Sequence, residues 1–228
     1  MTGPQEKLRT AALVAGAAYL ASAPHAAYLA QHSSVRPGGL SADQVLAMDL
    51  LRLAVVTVLA SLVGAFFSER NGLPGLGAEA TRRGWRWYLG GGLFSLGLYL
   101  AAGNLLAARF PAQYPCTVGW AVVALAKNCV FEEVIARYGM MTLAVGVLRS
   151  KAAGNLVQAT FFTLVSLRAL PSGADGISAD GTTVLAIGAA FLVHLGSGAV
   201  YARHGLLAAS LFRAAAGLRL LIHPAIGC

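Results

Sequence analysis

Apolar residues fall into seven long blocks along the chain, at about residues 10–30, 48–67, 87–106, 117–148, 155–167, 182–201 and 205–222. The blocks lack the period-two alternation of strands, and most approach the roughly 20 residues that an α-helix needs to cross a bilayer. Backbone groups inside lipid must be satisfied within their own segment, so such blocks predict helices. Pro24 and His25 interrupt the first block, which predicts a kink there. Trp85, Trp87 and Tyr88 open the third as an interfacial anchor. The fourth is longer than one crossing needs, which predicts a tilted span or one broken near Asn128. The fifth is short and has to lean on its neighbours. The expected fold is all-α, a polytopic transmembrane bundle of about seven spans, with residues 1–228 as a single membrane domain.

Composition agrees. Of the 228 residues 57% are hydrophobic and only 11% are charged, against about 25% charged in soluble domains. That leaves charge for loops and helix ends, too little to coat a globule in water. The net charge of +8 raises nucleic acid as a partner. The basic residues sit between apolar blocks with no aromatic-interleaved patch, so the partner they imply is the lipid bilayer and no nucleic acid is expected. Lys7, Arg9, Arg70, Arg82, Arg83, Arg86, Arg149, Lys151 and Arg203 lie in connections on one side, and Arg36, Arg109 and Arg168 on the other. This asymmetry places the N-terminus in the cytoplasm and, with seven spans, the C-terminus outside a bacterial-type plasma membrane. Cys116, Cys129 and Cys228 form no metal-ligand spacing and are read as small packing residues or a free thiol. There is no HExxH and no two-His face, so neither a metal nor a cofactor is expected.

The chemistry lies in charges inside the apolar blocks: Arg52, Lys127, Arg137, Arg213 and Arg219, with Glu132 and Glu133. Each costs roughly 2.5–3.5 kcal/mol at the centre of a bilayer on insertion scales, so such residues face partners or a wet cavity. Arg52 and Arg219 lie near block ends and can snorkel. Glu133 and Arg137, four apart, share a helical face and can pair. Glu132 points about 100° away from Glu133, free to face a cavity as a general base. The bland alternative is a salt bridge that fixes helix packing.

Glu132-Glu133-xxx-Arg137, followed by Tyr138-Gly139-Met140-Met141, resembles the EExxxR signature of the CPBP family, the CAAX-protease and bacteriocin-processing (Abi-type) intramembrane proteins. The family's second motif, FxxxH, aligns with Phe162…Ser166, and its third, HxxxN or HxxxD after a Gly-rich helix, with Arg213…Gly217. The resemblance covers about residues 115–222. It implies a CPBP-like core in which Glu132 activates water and Glu133 with Arg137 supports it. Ser166 stands where the family has its first His, Arg213 where it has its second, and Gly217 where it has Asn or Asp. Serine does not hold a proton near neutral pH, and glycine offers no side-chain donor. Arg213, always charged, would tie Glu132 into an ion pair and weaken it as a base; the rival reading makes Arg213 an oxyanion donor. His194 lies at a depth similar to that of Arg213 and is a candidate substitute for a motif histidine, or a packing residue.

These readings imply a catalytically degenerate protease relative, a pseudoenzyme that binds a membrane peptide or a partner protein. The alternative is an active glutamic-type intramembrane endopeptidase, a hydrolase working through Glu132. A transporter lined by the charged cluster has less behind it, because no second charged helix pair repeats the pattern.

Overall fold

The structure is a computed structural model that describes residues 3–32, 39–77, 81–109, 114, 116–168 and 181–226. Among these residues the architecture is all helical, without strands. Helix α1 (Pro4–His32) runs on through Pro24. Helix α2 (Ala42–Phe67) starts at a reciprocal cap: the Gln44 amide donates to Ser41 Oγ (3.2 Å) and the Ser41 amide to Gln44 Oε1 (2.9 Å), which satisfies two donors otherwise left open at a helix start. Helix α3 spans Trp85–Arg109. The fourth apolar block forms one continuous helical run but changes its winding: α4 (Val118–Ala126), a π segment (Lys127–Phe131), the two glutamates, a second π segment (Val134–Met141), then α5 (Thr142–Leu148). The break expected near Asn128 is thus a widening of the helix. Helices α6 (Lys151–Arg168) and α7 (Gly181–His204) follow. The seventh block, expected as one span, is long and apolar enough to cross as a whole (Leu206–Pro224), with a turn at Gly217 between α8 (Leu206–Ala216) and α9 (Arg219–Ile226). Arg219 does not snorkel freely; its Nη1 donates to the Ala216 carbonyl at the end of α8 (2.8 Å).

Among the described residues four helical segments are long and apolar enough to cross a membrane: Ala42–Phe67, Thr81–Ala108, Gly181–His204 and Leu206–Pro224. Burial is inverted relative to a soluble protein. Leu20, Leu51, Leu100 and Val147 are exposed, whereas Glu133, Arg137, Gln158, His194 and Ser197 are buried. Large apolar side chains turned outward around a polar interior suit a lipid surround. Helix α1 packs along α2, α6 along α7, α3 against α8, and the second π segment against α2. Tyr138, Met141 and Tyr201 fill the centre between them, and Gly139 brings its backbone against Ala60 where a Cβ would collide.

The ends of the bundle are organised differently. At one end Lys7 approaches Glu69 (3.8 Å), and Asn71 Nδ2 donates to the Thr142 carbonyl (2.8 Å). There the Leu206 and Leu207 amides, at the start of α8, donate to the carbonyls of Gly75 and Leu76 (2.9 and 3.1 Å). This junction requires glycine: Gly205 has φ +89° and Gly77 φ +63°, and the two backbones touch. Away from that end, Tyr28 and His25 of α1 meet Trp120 of α4, and His223 of α9 lies against Tyr99 and Tyr114. Cys116 is disulfide-bonded, which replaces the reading of it as a packing thiol; Cys129 is free, and Cys228 lies outside the described residues.

Candidate functional site

The site grows from the change in helical winding. In an α-helix, residues four apart stack; in a π turn the bonds run to the fifth residue. Lys127 and Glu132 are five apart across the first π segment, and Lys127 Nζ lies 3.3 Å from Glu132 Oε1. Glu133 and Arg137 keep the four-residue spacing, with Oε1 and Nη1 3.2 Å apart and both side chains fully enclosed. Helix α8 contributes Arg213, whose Nη2 donates to Glu132 Oε2 at 2.7 Å while its Nε lies 3.5 Å from Glu133 Oε1. Helix α7 contributes Ser197, whose hydroxyl donates to Glu133 Oε2 at 2.5 Å.

The expectation that Glu132 stands free to face a cavity is therefore corrected: each of its oxygens is held by a cation. The physical reason is the pairing demand of a carboxylate placed among apolar helices, which two nearby cations meet. Glu133 Oε1 differs. Its two guanidinium contacts are close, but neither meets hydrogen-bond geometry, and Arg137 Nε and Nη1 and Arg213 Nε are likewise without a hydrogen-bond partner. That oxygen is held by charge more than by directed bonds.

Arg137 ties the acids to α7. Its Nη2 donates to the His194 carbonyl (2.8 Å) and lies 3.2 Å from His194 Nδ1. His194 thus joins the cluster from the far side of Arg137. From α6, Gln158 Nε2 donates to the same His194 carbonyl (3.1 Å) and to Asn155 Oδ1 (2.7 Å), and Asn155 Nδ2 to the Leu195 carbonyl (2.9 Å). Gly198 makes this approach possible, since a Cβ there would overlap the Asn155 amide. Phe162 sets its ring 5.6 Å from that of His194.

Of the residues singled out from sequence, Glu132, Glu133, Arg137, Arg213 and His194 converge. Gly217 does not reach the acids: it closes α8, its amide donating to the carbonyls of Arg213 and Ala214, and it packs where a Cβ would meet Leu125. Ser166 lies within α6, but its side chain is outside the described residues. The residues missed were Ser197, Asn155 and Gln158, and the partnership of Lys127. Polar residues inside apolar blocks were the available signal for the first three. Among the described residues no group of three or more His, Cys, Asp or Glu gathers to hold a metal ion. Chemically the arrangement is a chain of alternating charges, Lys127–Glu132–Arg213–Glu133–Arg137, that crosslinks the central helical run to α8 and, through Ser197 and His194, to α7. Compared with family models, with curated proteins and with solved structures, the chain gives no match in any of the three.

Proposed function

We propose that this chain is a CPBP-like membrane protein whose catalytic centre has become a structural ion-pair network, and that it acts by binding a membrane peptide or a partner protein. The observation that carries the reading is the double hold on Glu132, by Arg213 at 2.7 Å and Lys127 at 3.3 Å. A general base needs an oxygen within reach of a water or substrate proton. Here both oxygens are engaged, one by the Arg213 guanidinium and the other by the Lys127 ammonium.

The same proposal includes seven crossings, adding α1, the run from α4 to α5, and α6 to the four long apolar segments. Two observations support the orientation, with the N-terminus in the cytoplasm and the C-terminus outside a plasma membrane. The connections holding Lys7, Arg70, Lys151 and Arg203 share the end of the bundle described by the Lys7–Glu69 and Gly75–Leu206 contacts. Cys116, at the start of the α4 run and so away from that end, carries a disulfide, a bond that persists in oxidising compartments.

A constructive experiment tests the functional reading. The triple variant Ser166→His, Arg213→His, Gly217→Asn, in proteoliposomes with CAAX-type or single-span peptides, is expected to gain cleavage that Glu132→Ala removes. A folded triple variant that stays silent on a broad peptide panel counts against the CPBP relationship.

A further inference from the structure

Between α1 and α2 lies an open cleft of about 270 Å³. His25 and Leu29 line it from α1, Asp49, Arg52 and Val56 from α2, and Lys127 and Phe131 close its third side from the first π segment. Lys127 belongs to this cleft and to the ion-pair network at once. Among the described residues that network joins three cations, Lys127, Arg137 and Arg213, to two carboxylates, Glu132 and Glu133. It therefore carries one positive charge in excess, which within apolar surroundings calls for a counter-ion. Arg137 is fully enclosed and Arg213 nearly so, whereas the Lys127 side chain is 27% exposed. The excess charge thus has its outlet at the cleft.

The donors there are incompletely used. An ammonium has three N–H groups, and Lys127 directs one contact to Glu132. Arg52, on the α2 wall, has one contact, to Asp49 at 3.4 Å, and this neutral pair leaves the excess at Lys127 uncompensated. Beside the polar groups of Ser22, His25 and the Asp49–Arg52 pair, the walls are apolar, and beyond the cleft α2 continues as an exposed apolar face through Val55, Val58 and Leu59.

We propose that this cleft binds a phospholipid whose phosphodiester headgroup carries a single net negative charge, with the phosphate between Lys127 and Arg52 and an acyl chain along α2. One anion balances one surplus cation, and the apolar walls favour a ligand that arrives laterally with its own hydrocarbon over an anion delivered from water. This inference does not depend on the protease relationship.

The test uses delipidated full-length protein in neutral detergent, titrated with phosphatidylglycerol or with phosphatidylcholine, and bound lipid is read by native mass spectrometry. The unmodified protein is expected to prefer phosphatidylglycerol by about tenfold. Lys127→Met, which leaves Glu132 paired with Arg213, should bring the preference to within about twofold. Val56→Trp fills the cleft without replacing an ionised residue and should remove phosphatidylglycerol binding; it decides the matter if Lys127→Met does not fold. Equal binding of the two lipids by the unmodified protein would overturn the proposal. So would a preference that survives Val56→Trp, or displacement by soluble glycerol phosphate as effective as by the lipid itself.

Discussion

Arg137→Met probes the network where it is most enclosed. Arg137 is buried without solvent contact, pairs with Glu133 at 3.2 Å, and donates to the His194 carbonyl at 2.8 Å. Without it Glu133 keeps the Ser197 hydroxyl and a 3.5 Å approach from Arg213, and the His194 carbonyl keeps Gln158 as a side-chain donor. Removing one partner of a buried pair costs roughly 3–5 kcal/mol, because the other charge stays behind. At roughly 2–4 °C per kcal/mol for a chain of this size, Tm should fall by about 6–20 °C. The double variant Glu133→Leu, Arg137→Met removes both charges and should be more stable than Arg137→Met alone by at least about 1 kcal/mol, as coupled neighbours are. Thermal unfolding of purified protein in detergent, followed by tryptophan fluorescence, reads both. A single variant within about 2 °C of the unmodified protein, or a double variant no better than the single, would refute the argument that this pair is buried and coupled.

Three further outcomes are expected. Reporter fusions should read cytoplasmic at Ala78 and external at Asp175 and Cys228, and a cytoplasmic Cys228 would put the span count wrong by one. Gly198→Val should lower folded yield on size-exclusion chromatography, at roughly 1–3 kcal/mol for overpacking, because its Cβ meets the Asn155 and Gln158 amides; Gly188→Ala, which points into open space, should not. Tyr201→Phe removes the 3.0 Å contact with Thr142 Oγ1 and should cost about 1 kcal/mol, read as a Tm lower by roughly 2–4 °C.

What could be read from sequence divides along physical lines. Apolar blocks gave the helices, because lipid leaves the backbone no alternative. The Glu133–Arg137 pair follows from four-residue spacing, whereas the meeting of Arg213 with the acids is implied by the resemblance that aligns it with the family's third motif. Lys127 was not assigned to Glu132 because five-residue spacing puts two side chains on different faces of an α-helix; the pairing appears only once the helix widens. Motif alignment points to Ser166 on α6, whereas Asn155 and Gln158 bond to the α7 carbonyls of Leu195 and His194. The turn at Gly217 within the last span is not legible because hydropathy continues across it: Leu218, Leu220 and Leu221 are as apolar as what precedes them. The disulfide at Cys116 was invisible because pairing depends on distance in space, which spacing along the chain does not set.

The central proposal is that Glu132 is a structural carboxylate and not a general base. Losing one oxyanion donor typically costs about 10²–10³ in rate, and losing acid–base help roughly 10²–10⁴; the two need not add, since such groups act as a unit. The most direct measurement is peptide cleavage in proteoliposomes by the unmodified chain beside Glu132→Ala, with folding of both checked by their elution and thermal unfolding. The account predicts that neither protein cleaves above background. Robust cleavage by the unmodified chain, abolished by Glu132→Ala in a folded variant, would contradict it and establish a working intramembrane endopeptidase.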